Sequence, residues 1–211
     1  MKRRILIILA IAVALAPLTG AKSTKLVFTW LNPSYNGAHF KNIMVLGING
    51  RASIRAEFED QLCAGIARPG IQCSPSYSLI PRPTGTPLDM NDLRNVVSGQ
   101  NIDAIVASRL VKVDKTVTYI PGQAYVVPYP YYNSFYGYYG QAFSQVYTPG
   151  YLQEDKTARV ETNIYGTSTP DGEFVWTGIS DTFNPNPKKA EKTINAVVDV
   201  MVKDMEKQGI F

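Results

Sequence analysis

An α/β (α+β) fold, a mixed β-sheet carrying two main packed helices, is what this 211-residue sequence predicts. Three observations carry that prediction. The apolar run 43–46 (IMVL) is followed by Ile54, Phe58, Leu62 and Ile66 at helical spacing, which reads as a covered strand feeding a helix. Residues 158–180 alternate around Thr169-Pro170-Asp171-Gly172, which reads as a β-hairpin. The chain then closes on a helical stripe, Ile194, Val197, Val198, Met201 and Met205.

The elements follow in order. Residues 1–21 have the layout of a cleaved signal peptide: Lys2, Arg3 and Arg4, an apolar stretch from 5 to 16, and a helix-breaking Pro17 and Gly20 before Ala21. The apolar stretch is short for a bilayer span, so cleavage after Ala21 is the expectation and an uncleaved anchor the alternative. Cleavage takes the 21 Lys+Arg to 18, against 17 Asp+Glu. The nearly neutral remainder gives no electrostatic argument for nucleic acid. Leu18-Thr19-Gly20 begins like a bacterial lipobox, but Ala21 stands where the lipidated Cys belongs.

Residues 25–30 (KLVFTW) read as a strand and 32–37 (NPSYNG) as a turn. The helix after 43–46 has Asn49 or Ser53 as candidate cap and stops at Arg68-Pro69-Gly70. The β-compatible stretch 71–80 (IQCSPSYSLI) reads as the returning strand, 81–87 as a loop, and 88–99 as a short helix ended by Gly99. Residues 102–113 read as a strand that begins buried and emerges into solvent. In the last helix Asn186 is the expected cap, Pro187 the first position, and Gly209 with Ile210 a Schellman stop. The expected core is Ile43, Val45, Phe58, Leu62, Ile105, Val160, Ile164, Trp176, Val198 and Met201.

Cys63 and Cys73 lie on consecutive elements, and export predicts a disulfide between them; two unrelated thiols are the alternative. Two Cys and one His, His39, do not make an ordinary structural zinc site, and no metal or cofactor is expected. Catalytic signatures are equally thin. Gly47-Ile48-Asn49-Gly50 lacks the Lys-Ser/Thr of a phosphate loop and reads as a strand-to-helix turn. No GxSxG occurs, and Glu57, Glu59 and Asp60 read as a solvated helix face.

Residues 116–153 stand apart, with ten of the 13 tyrosines and no Asp, Glu, Lys, Arg or His. The ends, TVTYIPG and QAYVVPY, extend the flanking strands as a ribbon, and the middle forms its tip. Tyrosine offers large contact area with a polar end, so Tyr129, Tyr131, Tyr132, Phe135, Tyr136, Tyr138 and Tyr139 form a candidate contact loop. A passive insertion is the competing reading. Nucleic acid is disfavoured because no Lys or Arg interleaves with the aromatics.

The near-lipobox, the helix start 51–59 (RASIRAEFE), the Tyr/Gly/Pro-rich insertion and 161–178 (ETNIYGTSTPDGEFVWTG) together resemble uncharacterised envelope lipoproteins of Gram-negative bacteria, over roughly residues 43–210. The element order is similar to that of the periplasmic domains of penicillin-binding-protein activator lipoproteins and of the curli-secretion lipoprotein. The resemblance implies a periplasmic α/β domain over residues 22–211 and brings no catalytic residues. The expected function is non-enzymatic binding of a protein or of peptidoglycan or another glycan in the envelope. A structural subunit of an envelope or secretion assembly and a hydrolase with a concealed site are the alternatives. Oligomerisation and secretion beyond the periplasm stay open.

Overall fold

The computed structural model describes residues 23–37, 40–80, 89–122, 150–169 and 172–211. Its strands are β1 Thr24–Leu31, β2 Asn42–Ile48, β3 Gln72–Pro75, β4 Ala104–Ile120, β5 Tyr151–Gly166 and β6 Glu173–Phe183. Its helices are α1 Ala52–Ile66, α2 Ser76–Leu79, α3 Met90–Gly99 and α4 Ala190–Lys207, the last preceded by the 3-10 turn Pro187–Lys189. One sheet contains all six strands in the order β1-β6-β5-β4-β2-β3. β2 runs parallel to β3 and β4, and the β4-β5, β5-β6 and β6-β1 pairs are antiparallel. The predicted mixed α/β class is the observed one.

α1 and α4 cover one face of this sheet. Ile43, Met44 and Val45 are fully buried, as a continuous apolar run in a strand covered on both faces requires. Leu62 and Ile66 of α1 meet Val198, Met201 and Val202 of α4 over Val106, Ile164 and Trp176. The two helices come together at Gly65, where an added Cβ would lie 3.1 Å from Val202 Cγ2 and 3.2 Å from Val198 Cγ1. Of the expected core, Phe58 and Val160 pack against this cluster as partly buried side chains. Ile105 departs from the expectation. It alternates with buried Ala104 and Val106 and so points to the opposite face, where it is half-buried.

Local chemistry explains most boundaries. Asn186 Oδ1 accepts from Lys188 N at 2.9 Å at the start of the last helical segment. At its end Ile210 N donates to Met205 O and Gly209 N to Glu206 O, the two bonds of a Schellman stop, with Gly209 at φ 71°. Gly172 N donates to Thr169 O in the β5–β6 turn. Neither Asn49 nor Ser53 is the cap of α1: Arg51 is the N-cap and has no side-chain bond, Asn49 stands two places before it with its Oδ1 accepting from Arg51 N, and Ser53 lies inside the helix.

The stretch 71–80 needs correction. Only Gln72–Pro75 is strand, and Ser76–Leu79 turns helical where Glu59 of α1 accepts from the Tyr77 backbone N–H and the Ser76 hydroxyl. The disulfide is present: Cys63 near the end of α1 is bonded to Cys73 of β3, with the Cα atoms 5.2 Å apart. Residues 1–22 and His39 lie outside the described residues.

Candidate functional site

β4 and β5 are far longer than their neighbours. They stay paired from Ala104↔Gly166 to Ile120↔Tyr151. β2 accompanies β4 only as far as Arg109, and β6 accompanies β5 only from Thr157. Beyond those points the two strands continue as a ribbon paired only with each other among the described residues. The sequence reading of TVTYI as a strand extension therefore holds, and residues 151–155 are its partner strand; the other expected ribbon end, QAYVVPY, lies outside the described residues.

The ribbon has two chemically different faces. A bulge between Leu110 and Lys112 resets the alternation of β4. Val113, Val117 and Tyr119 thereby fall on the side of Val106, the helix-covered side of the sheet. Their cross-strand partners are Ala158, Glu154 and Leu152. Near the tip this side is apolar and open, with Val117 59%, Tyr119 62% and Leu152 70% exposed. Gly150 lets Tyr119 fold back over the start of β5, since a Cβ there would stand 2.7 Å from Tyr119 Cζ. Charges hold the middle: Glu154 lies 3.1 Å from Lys156 and 3.8 Å from Lys115. The hydrogen bond from Lys156 holds the Glu154 carboxyl below its ordinary range.

The sheet surface away from α1 and α4 carries a second aromatic group. Trp30 stacks on Phe174 with ring centroids 5.2 Å apart, and Tyr165 lies 5.4 Å from the same ring. Further along, Arg159 grips Asp181 with two bonds of 2.7 Å, which holds the Asp181 carboxyl below its usual range.

The carboxylates of α1 overturn the sequence reading. Glu59 was expected on a solvated face, yet its exposure is 0%. Its Oε1 accepts from Gly47 N at 2.9 Å and Ser76 Oγ at 2.8 Å, and its Oε2 accepts from Tyr77 N at 3.0 Å. A buried carboxylate with three donors is a latch joining α1, the end of β2 and α2. Gly47 fits closely there: a Cβ would approach Arg55 Cγ to 3.1 Å and Glu59 Oε1 to 3.4 Å. Asp60 accepts from the Tyr77 hydroxyl at 2.7 Å, and that bond pushes the hydroxyl pKa up. Glu57 accepts from Gln61. The three acids thus serve separate local contacts and do not face one another as an acid–base pair. Spacing could not reveal this, because the partners Ser76 and Tyr77 lie 17 and 18 positions away from Glu59.

Among the described residues no group of three or more His, Cys, Asp or Glu is placed to hold a metal ion, and no helix is long and apolar enough to cross a membrane. The contact-loop residues Tyr129, Tyr131, Tyr132, Phe135, Tyr136, Tyr138 and Tyr139 lie outside the described residues.

No family model matches this chain. No curated protein matches it either. Two structures of a PelC dodecamer from Paraburkholderia phytofirmans align with TM-scores of 0.43 and 0.40 at 10% identity, covering 85% of this chain and 96% and 95% of theirs. The hypothetical protein CT253 from Chlamydia trachomatis aligns with a TM-score of 0.35 at 10% identity, covering 82% of this chain and 94% of that one. These are distant likenesses.

Proposed function

We propose that this chain is an exported, non-enzymatic protein of the bacterial envelope that captures a protein or cell-wall partner on its β4–β5 ribbon and the Tyr-rich insertion the ribbon carries. The single observation behind this reading is the ribbon itself. A two-stranded ribbon without flanking strands is marginally stable alone. This one nonetheless presents Val117, Tyr119 and Leu152 to solvent on one side. Open apolar side chains grouped on a projecting element suit a contact surface. The signal-like leader and the Cys63–Cys73 bond support an oxidising, exported location.

A subunit role in an envelope assembly has its own support. The outer edge of β1 is unpaired among the described residues, and Phe28 and Trp30 stand exposed on that strand. Such an edge can accept another strand.

The insertion is separable from the fold on this reading. Replacing residues 129–147 by a short Gly-Ser linker is expected to leave cooperative unfolding at nearly the same temperature, because long surface loops are thermodynamically tolerated. The same protein should no longer retain its partner after crosslinking in intact cells. Collapse of the fold would make the tyrosines part of the core. Unchanged folding with unchanged capture would make the insertion passive.

A further inference from the structure

The helix-facing side of the ribbon does not end at the sheet. It runs from Val113 past Ala158 and Val160 into a cavity of about 320 Å³ between α1, α4 and strands β4 to β6. That volume lies within the range of small-molecule sites. The inner wall is apolar, built by Phe58, Leu110, Val160, Ile194 and Val197. Four cationic residues line the cavity, Arg51, Arg55, Arg109 and Lys156, and no Asp or Glu does so among the described residues.

Two of those cations are already paired. Arg109 Nε lies 2.6 Å from Glu161, and Lys156 Nζ lies 3.1 Å from Glu154. Arg55 is different. Its side chain is only 10% exposed, yet its Nε has no hydrogen-bond partner. The nearest acid oxygen, Glu59 Oε1, is 3.9 Å away and already accepts from Gly47 N and Ser76 Oγ. A buried Nε–H without an acceptor is costly unless an anion satisfies it. The start of α1 adds to the same field: it lines the cavity through Arg51 and Ile54, has no side-chain cap bond, and has no acid in its first turn.

We propose that this cavity binds a single-chain amphiphile, with its anionic head on Arg55 and Arg51 at the start of α1 and its acyl tail along Phe58, Val160, Ile194 and Val197. A small anion alone would leave the apolar wall unused, and a lipid without an acceptor head would leave the Arg55 Nε unpartnered. Carboxylate and phosphate heads offer the same acceptor chemistry to a guanidinium. The inference is independent of the ribbon's role, since its residues lie at the base of the ribbon and on the helices.

The test titrates the delipidated full-length exported protein with dodecanoate, dodecyl phosphate and methyl dodecanoate, below their micelle concentrations, by calorimetry. Saturable binding of at least one anion is expected, about tenfold or more tighter than the ester. Whichever anion binds more tightly assigns the head group, and either result supports the site. Arg55→Gln should remove the preference for anion over ester, and Ala158→Phe, directed into the cavity, should abolish binding of all three. Unfolding midpoints establish that both variants are folded. Absence of saturable binding, equal affinity for the ester, or inorganic phosphate competing as well as dodecyl phosphate would each overturn the proposal. Protein with residues 129–147 replaced should still bind the amphiphile, which separates this result from the fate of the contact-loop reading.

Discussion

Glu59→Ala is expected to destabilise the protein by about 3–5 kcal/mol, the range for breaking a buried charged network by removing one member. The substitution orphans Gly47 N and Ser76 Oγ and frees Tyr77 N, the three donors the carboxylate now satisfies. It also strips Arg55 of its one acidic neighbour. Urea denaturation of the two proteins measures the difference. Hydrogen exchange should locate it, with the Gly47 and Tyr77 amides losing protection before those of the β5–β6 hairpin. A loss below about 1 kcal/mol, the worth of one ordinary hydrogen bond, would contradict the latch.

Trp176→Ala should cost a comparable amount, about 3–5 kcal/mol. Trp176 is fully buried, and its ring fills the space above Gly178, where a Cβ would fall 2.7 Å from its Cζ2 and 3.0 Å from Met201 Sδ. Its indole Nε1 donates to Asp204 Oδ2, which also accepts from Thr29 Oγ1, so one side chain ties β1, β6 and α4 together. Trp176→Phe separates the contributions. It keeps most of the apolar volume and loses the donor, so its cost should be well below that of alanine. Equal losses for the two variants would mean that the hydrogen bond rather than packing dominates.

These two residues also mark how far the sequence could be read. Trp176 was expected in the core because it is a large apolar residue in the second strand of a hairpin that Thr169 and Gly172 announce. The last helix was legible to its final cap, because Asn186, Pro187, Gly209 and the apolar stripe act through neighbours within a few positions. The Cys63–Cys73 bond was legible because the two residues flank one helix-to-strand return. Glu59 was not. Apolar spacing picks out Ile54, Phe58, Leu62 and Ile66, whereas α1 also buries Arg55 and Glu59, whose acceptable burial depends on Gly47, Ser76 and Tyr77. The cavity was invisible for the same reason, since its wall draws on α1, α4, β4 and β5. The ribbon was half legible: its strands show in composition, but the bulge at Leu110/Lys112 decides which side chains share a face, and nothing in the local sequence announces it.

The claim that the ribbon is the contact surface is tested most directly by photo-crosslinking in intact cells. A photoreactive side chain would be placed singly at Tyr119, at Leu152, and at Lys192 on the solvent side of α4 as the control. A discrete crosslinked species from Tyr119 and Leu152 but not from Lys192 is the predicted result. Crosslinks from all three positions alike, or from Lys192 alone, would contradict it.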